Sequence, residues 1–199
     1  MLKAHPELVT FVAFPIINTE EDFMEEVYKS ISSSSADCLY AVIDKVAASG
    51  EGSTSGKFAG VISLTSTDPS NAVTEIGVMI SPAFQRTHVA TNAIGLFLLW
   101  ILDPPSAGGL GLRRVVWQTH ADNAGSRRTA LRMGFEFEGV ARWQRTFPGG
   151  RIALSAEALR VRNGTKEEQP GRHTAVFSIV WDEWEEKRPK VLAQMERKH

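Results

Sequence analysis

Cysteine is nearly missing from this chain: 199 residues hold one, Cys38. That excludes an internal disulfide and a cysteine-rich zinc site, and it leaves Cys38 as a small buried hydrophobe on a strand. No stretch approaches the roughly 18 apolar residues of a membrane span, so no membrane partner is expected. Residues 1–7 carry no apolar segment of the kind a secretory signal needs, and a reducing, cytoplasmic location is the expectation. Charge of one sign is lacking too. Lys and Arg total 22 against 23 Asp and Glu, a formal net charge of −1, so no global field draws nucleic acid or an anionic surface. The five histidines, His5, His88, His120, His173 and His199, fit no metal-ligand spacing, and no metal is expected. Neither the Gly-Lys-Ser/Thr of a P-loop nor a Gly-x-Ser-x-Gly elbow occurs, and no internal repeat is present.

What is there has an ordinary globular balance, 43% hydrophobic and 23% charged, at a length that suits one domain over residues 1–199 with a real core. Thr19 is placed to cap a helix whose first turn is acidic and whose Phe23, Val27 and Ile31 form a stripe at four-residue spacing. Strands are predicted at 39–46 and 58–67, joined by the Gly- and Ser-rich 48–57 as a hairpin. A turn at Asp68-Pro69-Ser70-Asn71 leads to a strand at 74–81, which Pro82 ends. Residues 87–102 read as a strong helix with Ala90, Ile94, Phe97, Leu98 and Ile101 on one side, apolar all round from 97 to 102 and so buried against more than a sheet. Residues 106–111 read as a flexible connector. A strand at 113–119, a short helix at 126–133 closed by Gly134, and a long strand at 135–147 kinked at Gly139 follow. Residues 148–173 form a long polar excursion, 174–180 a last strand, and 182–199 a charged tail, a frayed helix interrupted by Pro189. The pattern is a mixed α/β (α+β) fold, one curved mixed sheet with helices on both faces.

Two places carry chemistry. The stretch from Glu75 to Thr91 runs from an apolar strand through a short turn into an apolar helix. A helix start presents backbone N–H groups without intrahelical partners, which suits a pyrophosphate. Arg86 adds a charge-assisted bond, and Thr87 and Thr91 add hydroxyls. Read alone, the turn is also a capped helix with a surface arginine. If the strand splays from its neighbour, its free backbone groups can pair with an amide-bearing ligand arm as an added strand would. Glu75, near that strand's start, is a candidate base, or a solvated edge residue. The second place is Asn123-Ala124-Gly125-Ser126. Asn123 can bind an amide or simply cap the helix, and Ser126 can donate a proton to a leaving thiolate. His120, just before that loop, is a second candidate base or a capping residue.

Taken together, the strand and turn around Ser81-Pro82-Ala83-Phe84-Gln85-Arg86-Thr87, the stretch Asn123-Ala124-Gly125-Ser126-Arg127-Arg128, and Met133-Gly134-Phe135-Glu136-Phe137-Glu138-Gly139-Val140 resemble the GNAT superfamily of N-acetyltransferases. The branch they look most like is that of the ribosomal-protein N-terminal acetyltransferases. The resemblance spans roughly residues 9–181 apart from the excursion. It implies a single GNAT-like domain with splayed central strands and acetyl-CoA as co-substrate. Backbone groups of Val78, Met79 and Ile80 would then meet the pantetheine arm and thioester oxygen. Arg86, Thr87, His88, Val89, Ala90 and Thr91 would hold the pyrophosphate. Asn123 would bind the pantetheine, and Ser126 would act as general acid. The acceptor would be a small-molecule or peptide amine attacking the thioester directly, without an acyl-enzyme.

Departures from the family pattern shape the expectations. His88 stands where the wider superfamily prefers glycine. A strand glutamate that serves as base in some relatives corresponds to Gln118, and a tyrosine acid corresponds to Ala130. Glu75 is then the leading base, with His120 second. Relatives begin with a strand and helix before the segment resembling His5-Pro6-Glu7-Leu8, so an altered acceptor half and an exposed sheet edge are expected, which a homodimer or strand exchange would cover. Trp143 and Phe147 either line an acceptor pocket or pack. A catalytically decayed CoA-binding module is the alternative function. A nucleic-acid role for Arg113, Arg114, Arg127, Arg128 and Arg132 is disfavoured by the balanced charge.

Overall fold

The computed structural model of the chain describes residues 2–12, 17–45, 56–146 and 171–197. They fall into two compact units, Ser34–Val116 with Ile179–His199, and Met1–Ser33 with Trp117–Ser178. Most of the predicted hairpin connection at 48–57, most of the excursion at 148–173, and Phe147 lie outside the described residues. Among the described residues, no helix is long and apolar enough to cross a membrane.

In the first unit, β1 (Cys38–Asp44) pairs antiparallel with β2 (Lys57–Asp68), and β2 pairs antiparallel with β3 (Val73–Ile80). The turn from β2 to β3 is the one read from the sequence. The Asp68 carboxylate accepts from Ser70 and Asn71, side chains and backbone alike, and these bonds lower its pKa to about 2. Along β3 the side chains alternate: Thr74, Ile76 and Ile80 are buried, Glu75, Gly77 and Met79 less so. Next comes α3 (His88–Leu102), with Ile94, Leu98 and Ile101 fully buried. Each such side chain contributes about 1.5–3 kcal/mol of burial.

The apolar run at the end of α3 finds its second neighbour in α5 (Trp184–Met195). Gly95 permits this, since a Cβ there would stand 2.3 Å from the Met195 sulfur. The predicted frayed tail is therefore corrected: Pro189 lies inside α5 without ending it, and Trp184 and Val191 are buried. The predicted flexible connector is corrected as well. Leu110, Gly111 and Leu112 donate backbone bonds to Trp100, Asp103 and Ile101. Cys38 is half-buried rather than buried.

In the second unit, Thr19 caps α1 (Glu20–Phe23) with a capping box to Asp22; a π-helical turn, Met24–Tyr28, follows, then α2 (Lys29–Ser32). Further on lie α4 (Ala124–Arg132), β5 (Glu136–Thr146) and β6 (Gly171–Val180), the two strands antiparallel. The last strand thus begins three residues earlier than predicted. Gly139, at φ +153°, marks a register shift where a kink was expected. A second shift, around Trp143 at φ +54°, had no sequence signal. β4 (Arg114–His120) runs from one unit into the other. The six strands form one mixed sheet in the order β1-β2-β3-β4-β6-β5.

Candidate functional site

The turn between β3 and α3 is built on a small apolar nucleus. Ala59, Ile80 and Val89 are buried together, with Val42, Val78, Phe84 and Ala90 packed against them. This clamps the end of β3 to the first turn of α3, so the intervening backbone has little freedom. Ser81 N–H donates to the Ala59 carbonyl at 2.8 Å, and Gln85 Nε2 donates to the Ile80 carbonyl at 3.0 Å. Arg86 is exposed and takes φ +62°, a left-handed conformation that is unfavourable for a residue with a Cβ.

Thr87 then caps α3. Its Oγ1 accepts from Val89 N–H at 3.3 Å and donates to the Phe84 carbonyl at 2.7 Å. The Thr87 hydroxyl predicted for a ligand therefore already serves the cap, and Thr91 is 1% exposed. What the helix start offers is backbone: the N–H groups of His88 and Ala90 belong to a first turn that has no intrahelical acceptors. Negative charge is favoured there by the helix dipole. His88 Nε2 lies 3.3 Å from Asp44 Oδ1. A carboxylate only accepts, so this bond places a proton on Nε2. Asp44, 8% exposed at the end of β1, was not foreseen, because nothing local marks a contact across 44 residues.

β3 and β4 run parallel over three pairs, Val73↔Arg114, Thr74↔Val115 and Glu75↔Val116. Glu75 is half-buried between two neighbours, Val116 of β4 on one side and Thr65 of β2 on the other. Towards the end of β3, Val78, Met79 and Ile80 pair with Ile62, Val61 and Gly60 of β2.

In the other unit, Asn123 caps α4. Its Oδ1 accepts from Ser126 N–H at 3.0 Å, so the capping role is real and the amide nitrogen is the part left for a ligand. Ser126 Oγ accepts from Trp117 Nε1 at 2.9 Å. Trp117 was read from the sequence only as a strand residue; its bond to Ser126 crosses nine positions and has no local signal. His120, 1% exposed, accepts the Asp122 N–H at Nδ1, 3.0 Å. Burial lowers the His120 pKa below its ordinary value; the Asp122 carboxylate opposes this, while Arg172 and His173 add to it. The neutral ring then carries its proton on Nε2, and its Nδ1 lone pair is engaged. Trp143, 47% exposed, donates its backbone N–H to His173 Nδ1 at 2.9 Å, and its ring meets the imidazole edge-on. Two of the arginines considered for nucleic acid lie over aromatic rings of their own unit, Arg113 over Trp181 and Arg127 over Phe137.

Comparison with known proteins bears on this arrangement. Residues 2–136 match the model of the acetyltransferase (GNAT) domain. The crystal structure of a GCN5-related N-acetyltransferase from Brucella melitensis is 30% identical, with a TM-score of 0.72 over 98% of this chain and 73% of that one. A probable acetyltransferase of the GNAT family from Chromobacterium violaceum is 27% identical, with a TM-score of 0.67 over 92% and 76% of the two chains. A variant of the spermidine N-acetyltransferase of Vibrio cholerae shares the fold at 14% identity, with a TM-score of 0.58 over 84% and 79%. No curated protein matches the chain significantly.

Proposed function

This chain belongs to the GNAT acetyltransferase family, and on that premise we propose that it moves an acetyl group from acetyl-CoA to a primary amine, a small molecule or a peptide N-terminus, by direct attack. One observation carries the reading: β3 runs to Ile80 and leads through the Thr87 cap into α3, so a strand end and the first-turn N–H groups of a long helix adjoin in one unit. A strand that leads into a helix start suits an amide-bearing arm that ends in a diphosphate. Backbone groups of Val78, Met79 and Ile80 would take the arm. The first-turn N–H groups of α3, with Arg86, would take the diphosphate. Asn123 would give its amide N–H to the pantetheine, and Ser126 would pass a proton to the departing sulfur.

The main catalytic demand is a neutral amine, because a lysine-type amine with pKa ~10.4 is almost wholly protonated near pH 7. Glu75 is the base in this reading. His120 is less suited, since burial lowers its basicity and its Nδ1 already accepts a hydrogen bond. In the step itself, the amine nitrogen bonds to the thioester carbon, the C–S bond breaks, its electron pair goes to sulfur, and the proton lost by nitrogen balances the one gained by sulfur.

The test is thiol release from acetyl-CoA over a panel of polyamines, amino acids, aminoglycosides and N-terminal peptides. Robust turnover with at least one acceptor is expected. Glu75→Gln should lower it by roughly 10²–10⁴-fold, the range for general-base catalysis, with acetyl-CoA binding retained. No calorimetric binding of acetyl-CoA at millimolar concentration would overturn the reading. The alternative, a decayed CoA-binding module, draws on Gln118 and on Ala130, which is fully buried and holds no proton; it predicts binding without turnover across the whole panel.

A further inference from the structure

We propose that Trp117 is a positioning residue that orients and polarises the Ser126 hydroxyl for proton transfer to sulfur, an inference that rests on the role given to Ser126 above. Trp117 reaches Ser126 through its indole. Its N–H donates and cannot accept. At 2.9 Å from Trp117 Nε1, Ser126 Oγ must present a lone pair to the indole, and its own proton must point elsewhere. A serine in the first turn of a helix ordinarily has other uses for its hydroxyl, such as bonds to nearby backbone groups. The indole selects one side-chain rotamer among the three staggered ones. Ser126 is tethered at its backbone as well, since its N–H donates to Asn123 Oδ1 at 3.0 Å.

Trp117 is itself held firmly. β4 alternation puts Val115, Trp117 and Thr119 on one face, and Trp117 is 3% exposed. Its ring meets that of Phe135 edge-on, centroids 5.5 Å apart. A donor fixed in this way needs no reorganisation when charge develops on its partner. As the C–S bond breaks, the Ser126 proton passes to sulfur while Glu75 holds the proton released by the amine nitrogen, and Oγ regains a proton from solvent afterwards. Between these events Oγ carries partial negative charge, which the indole N–H stabilises. In this role Trp117 acts through Ser126.

The test combines turnover with a readout that a purely structural tryptophan would leave unchanged. Trp117→Phe keeps an aromatic ring and removes the N–H. With the best acceptor from the amine panel, kcat should fall roughly tenfold, with KM and calorimetric acetyl-CoA affinity held. Ser126→Ala should also lose turnover, and adding Trp117→Phe to it should lose nothing more. In a 15N-labelled protein, Ser126→Ala should move one indole N–H resonance among those of the five tryptophans. Wild-type turnover in Trp117→Phe, or the same loss with and without Ser126, overturns the inference. If Trp117→Phe does not fold, the resonance decides: no indole signal moved by Ser126→Ala overturns it. Full activity in Ser126→Ala instead overturns the role of Ser126, and this inference with it. A damaged Ser126→Ala beside a full-speed Trp117→Phe overturns this inference alone.

Discussion

Arg86 stands at φ +62° directly before the Thr87 cap, a position where glycine would be free of strain. Retaining arginine there makes sense if the guanidinium is worth more than the conformational cost, as it would be beside a diphosphate. Arg86→Gly should separate the two effects. Relief of left-handed strain, about 1–2 kcal/mol, is offset by the greater freedom of unfolded glycine, about 0.5–1 kcal/mol, so the denaturation midpoint should hold or rise slightly. Loss of a charge-assisted bond of about 1.5–3 kcal/mol should weaken acetyl-CoA binding roughly tenfold to a hundredfold by calorimetry. A fall in stability matching the fall in affinity would mean that Arg86 holds the turn and not the ligand. His88, where glycine was the expected residue, finds its reason one strand away: the bond to Asp44 ties the first residue of α3 to the end of β1.

Among the elements, α5 shows how a charged segment becomes structure. Asp103, the residue after α3, is 7% exposed and accepts from Trp184 Nε1 at 2.7 Å and from the Arg188 guanidinium at 2.9 and 3.0 Å. Burial alone would raise the Asp103 pKa, but the Arg188 and Trp184 bonds and the Arg188 charge outweigh it and hold the pKa below the ordinary carboxylate value. A depressed folded-state pKa gives stability that is complete above the unfolded value near 3.9 and is lost as pH falls through the folded one. Asp103→Asn should therefore destabilise by about 1–2 kcal/mol at pH 7, a figure discounted because the Arg188 side chain is 44% exposed. Urea titrations should show that difference shrinking as the pH is lowered below about 4; a difference independent of pH would assign it to packing. Across the bond network, Pro189 is tolerated inside α5 because tertiary contacts, not helix propensity, hold the element in place.

For the molecule as a whole, the small net charge of −1 means that recognition is local, at backbone groups and a few side chains. A ligand that binds only the folded chain raises its stability by mass action, about 2.7 kcal/mol at a hundred times Kd. At roughly 2–4 °C per kcal/mol for a chain of this size, saturating acetyl-CoA should raise Tm by about 5–10 °C in a thermal scan. Dephospho-CoA, which keeps the diphosphate, should give most of that shift, and pantetheine, which lacks it, much less, because the contacts at the helix start are lost. An equal shift with pantetheine would place the affinity on the β3 arm alone.

Composition and periodicity by themselves determined the α/β class, the strand–turn–helix from β3 to α3, the Thr19 cap, the Asp68 turn and the Gly139 kink. Each is a contest between near neighbours in the chain, and short-range sterics and hydrogen bonds decide it. Tertiary structure alone decided the rest. Asp44 reaches His88, Trp117 reaches Ser126, and Asp103 gathers Trp184 and Arg188. No local preference selects these partners; they meet because burial of apolar side chains brings distant segments together, and a polar group enclosed by that packing must find its bond wherever the fold puts it.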